Sequence, residues 1–167
     1  ALTETDIANS ITKRMEYQNV DKARVKGVDI SINSYLGYGV SLGGSYSFAD
    51  AKDTNTDSRL PRSIKHSGSI NSNWNKVWGF YTLNVNLAGR LQSERFETGT
   101  YGNAPGYQLW NLSTRHTFNN LTNFILEPGI GIENIFNYRD DRPYNSNYAT
   151  LSPGRTVYIS LLLKFRK

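Results

Sequence analysis

Apolar and polar residues alternate with period two over stretches longer than the strands of an ordinary soluble sheet, and nothing else in the chain restricts its fold as much. Along Phe80–Gln92, Tyr81, Leu83, Val85, Leu87 and Leu91 alternate with Thr82, Asn84, Asn86, Ala88 and Arg90. That spacing turns a side chain to the opposite face at each step, as in a strand, whereas a helix would need a period of 3.6. Along Tyr38–Phe48, Tyr38, Val40, Leu42, Tyr46 and Phe48 oppose Gly39, Ser41, Gly43, Ser45 and Ser47. At the C-terminal end, Val157, Ile159, Leu161, Leu163 and Phe165 oppose Tyr158, Ser160 and Lys164, with Leu162 breaking the polar row. The same rhythm runs through Val25–Leu36, Tyr107–Phe118 and Phe124–Phe136, and less regularly through Ile64–Trp74. Seven strands are readable, and Thr3–Met15 is expected to hold an eighth or the end of one. A tilted membrane-crossing strand needs ~9–11 residues, against a soluble mode of ~5–6, so the strand lengths favour a membrane.

Composition decides between kinds of membrane protein. No run approaches the ~18–20 apolar residues that a spanning helix requires. A mean hydropathy of -0.54 is nevertheless compatible with a barrel, because half of each barrel strand faces a polar interior. The 167 residues carry 11 Tyr, 14 Gly and no Cys, which removes disulfide frameworks and thiolate metal sites. The net charge of +5 is spread over Lys13, Arg14, Lys22, Arg24, Arg59, Arg62, Arg115 and Arg155 without a basic run, so nucleic acid is not expected as a partner. Ala1–Ser10 has neither the basic start nor the apolar stretch of a signal peptide and reads as mature or internal sequence. With no linker composition anywhere, residues 1–167 read as one unit.

The connections alternate in length. Leu36–Gly37, Asn75–Lys76 and Asn119–Thr122 are short, whereas Ala51–Arg62, Phe96–Gly106 and Asn137–Arg155 are long. Outer-membrane barrels have tight periplasmic turns and long extracellular loops, so this parity puts the C-terminus on the periplasmic side of a Gram-negative outer membrane. Tyr35, Tyr38, Trp74, Trp78, Phe80, Tyr81, Tyr107 and Phe118 fall near strand ends, where amphipathic rings suit the headgroup level; cross-strand pairs of a soluble sheet are the other reading.

Little in the chain reads as catalytic or metal-binding chemistry. His66 and His116 lie far apart without a cluster of ligand residues and read as surface residues of strands. Asp50, Asp53 and Asp57 lack the Gly and distal Glu of a calcium loop and read as a solvated loop. Gly129-Ile130-Gly131 sits within a strand and is no phosphate cradle. No cofactor, metal or enzymatic activity is expected.

Asn134-Ile135-Phe136-Asn137 closing the penultimate strand, Pro153-Gly154-Arg155 opening the last, and Thr156–Phe165 ending on an aromatic together resemble the C-terminal end of a TonB-dependent outer-membrane receptor. Tyr17-Gln18-Asn19-Val20 with Lys26-Gly27-Val28-Asp29 is similar to an upstream strand of the same barrels. The chain departs from the family pattern in having Arg166-Lys167 after Phe165, and Asp140 where a Tyr is expected. The resemblance implies an all-β fold of antiparallel transmembrane strands, seven or eight of a barrel of about 22. Residues 1–167 are then the C-terminal part of the barrel domain, with the plug domain outside this stretch.

Further implications follow from the resemblance. The function is energised import of a scarce, bulky nutrient such as a ferric siderophore, haem, cobalamin or a glycan. The partners are the bilayer, the remaining strands and plug, TonB through a segment not in this stretch, the barrel-assembly machinery and a possible surface lipoprotein. Phe165 and Tyr158 are candidates for the assembly signal. Arg90, Arg115, Glu127 and Glu133 fall on inner faces as lumen ion pairs or plug contacts. Outer-loop candidates for substrate contact are Arg139, Arg142, Tyr144 and Tyr148, joined by Tyr101 and Tyr107, since loops on rigid scaffolds carry recognition. The rival readings are a free-standing eight-stranded anchor or adhesin and a soluble barrel with its apolar side chains turned inward.

Overall fold

The computed structural model describes residues 2–5, 14–17, 22–98, 102–139 and 153–165. Two short strands, β1 (Leu2–Thr5) and β2 (Arg14–Tyr17), pair with each other in a sheet of their own. Thr3–Met15, expected to hold an eighth strand or the end of one, overlaps β1 and the start of β2, and among the described residues neither joins the main sheet. That sheet contains β3 (Ala23–Gly37), β4 (Val40–Asp53), β5 (His66–Trp78), β6 (Tyr81–Gln92), β7 (Tyr107–Phe118), β8 (Phe124–Glu133) and β9 (Thr156–Phe165). Each strand pairs antiparallel with the next, in sequence order from β3 to β9.

The tight turns fall where the backbone permits left-handed conformations. Tyr38 and Gly39 have φ of 53° and 84°, the two positive values of the hairpin turn that matches strand twist. A Cβ at Gly39 would run into the Asn75 carbonyl oxygen. The β5–β6 turn is Gly79–Phe80, with glycine at φ 57° in its first position. The expected turns at Leu36–Gly37 and Asn75–Lys76 are therefore displaced toward the C-terminus. Asn75 and Lys76 lie inside β5, opposite Asn84 and Leu83. Strand β8 stops at Glu133 rather than Phe136, because Asn134 and Asn137 have φ of 51° and 55° and cannot continue an extended chain. Pro128 lacks an N–H, and the β7–β8 register is interrupted where it sits, between Gly129 and Leu126.

Cross-strand partners share a face, so the registers decide whether seven separate alternations agree. They do. One face carries Val28, Ile30 and Ile32; Val40, Leu42, Tyr46 and Phe48; Ile70, Trp74 and Trp78; Tyr81, Leu83, Val85, Leu87 and Leu91. It continues through Trp110, Leu112 and Phe118, then Phe124, Leu126, Ile130 and Ile132, to Val157, Ile159, Leu161, Leu163 and Phe165. The other face holds Ser31 and Asn33, Ser45 and Ser47, Ser69, Asn71 and Asn73, Asn84 and Asn86, Asn111 and Ser113, and Ser160 and Lys164. Among the described residues no apolar side chain is buried, and Ile159, Leu161 and Phe165 are 81%, 65% and 79% exposed. An apolar sheet face without a protein core against it is what lipid contact requires and what water penalises.

Aromatic rows border this apolar face. At the short-turn end, Trp74 packs edge-on to Trp78, Trp78 stacks on Tyr81 at 5.8 Å, and Tyr81 lies 5.2 Å from Phe118. At the other end, Phe48 and Tyr46 surround His66. Each histidine shares a hydrogen bond with a tyrosine hydroxyl, His66 Nδ1 with Tyr46 at 2.8 Å and His116 Nδ1 with Tyr81 at 2.7 Å. From Tyr81 to Leu91, β6 advances about 33 Å at ~3.3 Å per residue. A tilt of ~45° reduces that to roughly 23 Å, close to the ~25 Å apolar band of outer-membrane barrels.

Candidate functional site

The polar face is built from small hydroxyl and amide groups that satisfy one another across strands. Ser45 and Ser69 share a hydrogen bond at 2.7 Å, and Asn73 and Asn84 exchange two carboxamide bonds at 3.2 Å. Formal charges punctuate it. Lys164 donates to Glu127 Oε1 at 2.7 Å, and the Glu127 side chain is 8% exposed against 52% for Lys164. Arg115 stands opposite Gly129, Arg90 opposite Ser69, and Glu133 opposite Thr156. Arg90, Arg115, Glu127 and Glu133 thus lie on one common face. Tyr158 lies on that face as well, its ring covering Gly131, while Phe165 lies on the apolar face opposite Phe124.

Beyond β4–β7 the long connections are tied together rather than free. Asp53 Oδ1 accepts from the amides of Asn55 and Thr56, and Asp57 pairs with Lys52 at 3.1 Å and Arg24 at 3.6 Å. The acidic loop is therefore occupied by a turn and two ion pairs. Arg62 N donates to Phe96 O and Phe96 N to Ser63 O, so the β4–β5 connection is stitched to the β6–β7 connection. The Arg59 guanidinium sits 5.3 Å over the Phe96 ring and 3.6 Å from Glu94.

Where β8 ends, a compact knot forms. Asn134 is 4% exposed. Its backbone N–H donates to Asn111 Oδ1 at 2.9 Å; its carboxamide donates to Tyr138 O and accepts from Tyr138 N, both at 2.8 Å. Asn137 Oδ1 accepts from Arg155 N at 2.9 Å, and Arg155 Nε donates to Ile135 O. Gly154, at φ 87°, is packed so closely that a Cβ would meet Asn137 Oδ1 and the Arg139 guanidinium. The Asn-Ile-Phe-Asn and Gly-Arg segments singled out in the sequence are thus joined to each other, clasping the base of the last long connection.

The knot sets Tyr138 against Tyr107, ring centroids 5.6 Å apart, and the Tyr107 hydroxyl donates to Gln92 Oε1 at 3.1 Å. Beside this pair lies a groove of about 800 Å³. Its polar-face side chains are Ser45, Ser67, Ser69, Gln92 and Tyr107, with Tyr138 over the last; residues of the apolar parity, Tyr46, His66 and Leu91 among them, border it too. Of the expected substrate-contact residues, Tyr107 is in this groove and Arg139 is beside Gly154. Tyr101, Arg142, Tyr144 and Tyr148 lie outside the described residues. Gln92 and Tyr138, and this role for Asn134, were not expected; no spacing rule links the ends of β6 and β8 to Tyr107 at the start of β7, and only the register brings them together.

The family described as TonB dependent receptor-like, beta-barrel matches residues 2–137. The crystal structure of BauA, the ferric preacinetobactin receptor from Acinetobacter baumannii, is similar over 96% of this chain with a TM-score of 0.69 at 17% identity. The chain spans 25% of that receptor's length, and at this identity the likeness is one of fold.

Proposed function

The chain belongs to the TonB-dependent receptor-like β-barrel family, and from that membership we propose that it forms part of an outer-membrane active transporter importing a scarce, bulky nutrient such as a ferric siderophore, haem, cobalamin or a glycan. The observation that carries this reading is the single apolar face shared by seven consecutive strands and bordered by aromatic rows at both ends. Such a face belongs against lipid, and the hydroxyl- and amide-rich face opposite it belongs to an aqueous or protein-filled lumen.

In this reading residues 1–167 are the C-terminal part of a barrel of about 22 strands. The short turns and the C-terminus are periplasmic, and the long connections face outward. A plug domain fills the lumen against Arg90, Arg115, Glu127 and Glu133, and TonB supplies energy through a segment outside this stretch. Phe165 and Tyr158 serve barrel assembly, and a lipoprotein over the mouth is a further partner. The transporter acts as a receptor and not as a catalyst. Substrate contact is assigned to Tyr107, Arg139 and the outer-loop residues Tyr101, Arg142, Tyr144 and Tyr148.

The test is nutrient uptake by a strain carrying the complete gene. Uptake should vanish when TonB is deleted and return when it is restored; uptake indifferent to TonB sinks the reading. Tyr144→Ala with Arg142→Ala should weaken ligand affinity, and unchanged affinity and uptake would remove those residues from the site. Neither rival has comparable support. Among the described residues no eighth strand joins the seven-stranded sheet, and a soluble barrel would have to turn the aromatic rows inward.

A further inference from the structure

We propose that the Tyr107–Tyr138 pair and the neutral side chains beside it form a subsite for an uncharged, hydroxyl-bearing ring, a saccharide unit, and that Asn134 is the positioning residue of this subsite. The proposal deepens the transporter reading and rests on it.

The side chains decide the ligand class. Among the residues lining the groove there is no Lys, Arg, Asp or Glu; the polar-face contributors are the hydroxyls of Ser45, Ser67 and Ser69, the Gln92 carboxamide and the two tyrosines. An anionic ligand entering it would leave water and meet no permanent cation, only the His66 imidazole at the border, which is costly. A saccharide leaves water for equivalent partners. Its hydroxyls meet serine and glutamine groups that both donate and accept, and its C–H faces meet tyrosine rings, whose apolar body and polar tip suit such a ligand. The two rings touch at 5.6 Å and are tilted by 31°, so a sugar packs on the outer surface of the pair rather than between its members. Arg90 lies opposite Ser69 and Arg139 beside Gly154, and neither is part of the lining.

Tyr138 follows the last strand residue of β8 closely and has no ladder to hold it. Its backbone N–H and C=O are both taken by the Asn134 carboxamide, which imitates one rung of a sheet. Asn134 in turn is fixed by Asn111 of β7 and by its own φ of 51°, a conformation that asparagine tolerates better than most residues. The aromatic platform is therefore tied to β7 through Asn134.

The experiment uses the purified full-length receptor and calorimetric titration with maltoheptaose, xylohexaose and mannohexaose as neutral probes and a ferric tris-catecholate as the anionic one. At least one neutral probe should bind. Tyr138→Ala should weaken it about tenfold, in the range of a lost ring contact, and Tyr138→Phe, which keeps the ring and loses only the hydroxyl, should weaken it less. Asn134→Gly keeps the backbone conformation and removes the carboxamide. It should weaken binding in the parent and have no further effect in the Tyr138→Ala background, since a residue acting only through Tyr138 has nothing left to position. Additive losses overturn the positioning role. Failure of every neutral probe, binding of the catecholate in their place, or saccharide binding indifferent to Tyr138→Ala overturns the ligand class. TonB-dependent uptake of another nutrient in that case leaves the transporter reading standing, whereas loss of TonB dependence removes the transporter reading and leaves the binding data intact.

Discussion

Gly39 and Gly79 both occupy tight turns at positive φ, but their surroundings differ, and the difference can be measured. At Gly79 nothing lies within reach of an added methyl group; at Gly39 the Asn75 carbonyl oxygen does. Gly79→Ala should therefore cost about 1–2 kcal/mol, the left-handed penalty alone. Gly39→Ala should cost clearly more, because Asn75 is held from both sides, by its N–H to Gly39 O and by its pairing with Asn84 in the ladder. Urea unfolding of the assembled receptor, followed by the heat-dependent gel shift, ranks the two; equal midpoints would mean that the turn relaxes freely. Glu127 offers a second contrast. Lys164→Met leaves a carboxylate in a largely buried site, whereas Glu127→Gln leaves a half-exposed ammonium in water. The first should cost about 1–3 kcal/mol and the second less, because an unmatched charge is expensive only where water cannot reach it. The same unfolding measurement decides, and a larger loss for Glu127→Gln would contradict the burial difference.

At the scale of the strand, β6 lets the two faces be compared one residue apart. Val85 is opposite Trp74 and Thr114 on the apolar face; Asn86 is opposite Asn73 and Ser113 on the polar face. Val85→Arg should destabilise insertion by ~2–4 kcal/mol, the cost of arginine near the bilayer midplane, while Asn86→Arg should fall within about 1 kcal/mol of the parent. Folding into vesicles of defined lipid, titrated with denaturant, measures both, and a reversed order would invert the assignment of the faces. The two-residue alternation that supports this prediction was legible in the sequence because membrane strands must keep one face apolar along their whole length. Turn positions were harder to read. Asn75 looked like a turn residue because it is polar, yet it belongs to the polar face of β5, and Lys76 interrupts the apolar face at the aromatic margin, where a long side chain can carry its charge to water. The end of β8 was misplaced because Ile135 and Phe136 prolong the apolar appearance of a strand that the positive φ of Asn134 has already stopped. Tyr107 was recognisable as a ring at a strand end. Its companions Gln92, Asn134 and Tyr138 were not, since their proximity depends on how β6, β7 and β8 align, and no local pattern encodes that alignment.

For the molecule as a whole, the decisive feature is that the sheet is a strip with two edges. Among the described residues β3 pairs only with β4 and β9 only with β8. Both edge strands are exposed along almost their entire length. In a bilayer each unpaired backbone group costs several kcal/mol, so an open strip of this kind is not a stable spanning structure. The aqueous alternative is no better, because the apolar face would remain against water with no second layer to cover it. In the transporter proposed above, the rest of the barrel supplies the strands that meet β3 and β9; the chain spans 25% of BauA's length. The prediction concerns the 167-residue stretch expressed alone and refolded in detergent. It should remain a mixture of aggregated or edge-paired species without a heat-dependent gel shift, while the complete gene product refolded in parallel shows one. A monomeric, heat-modifiable species from the stretch alone would mean that its strands close on themselves, and the small-barrel reading would then replace the transporter.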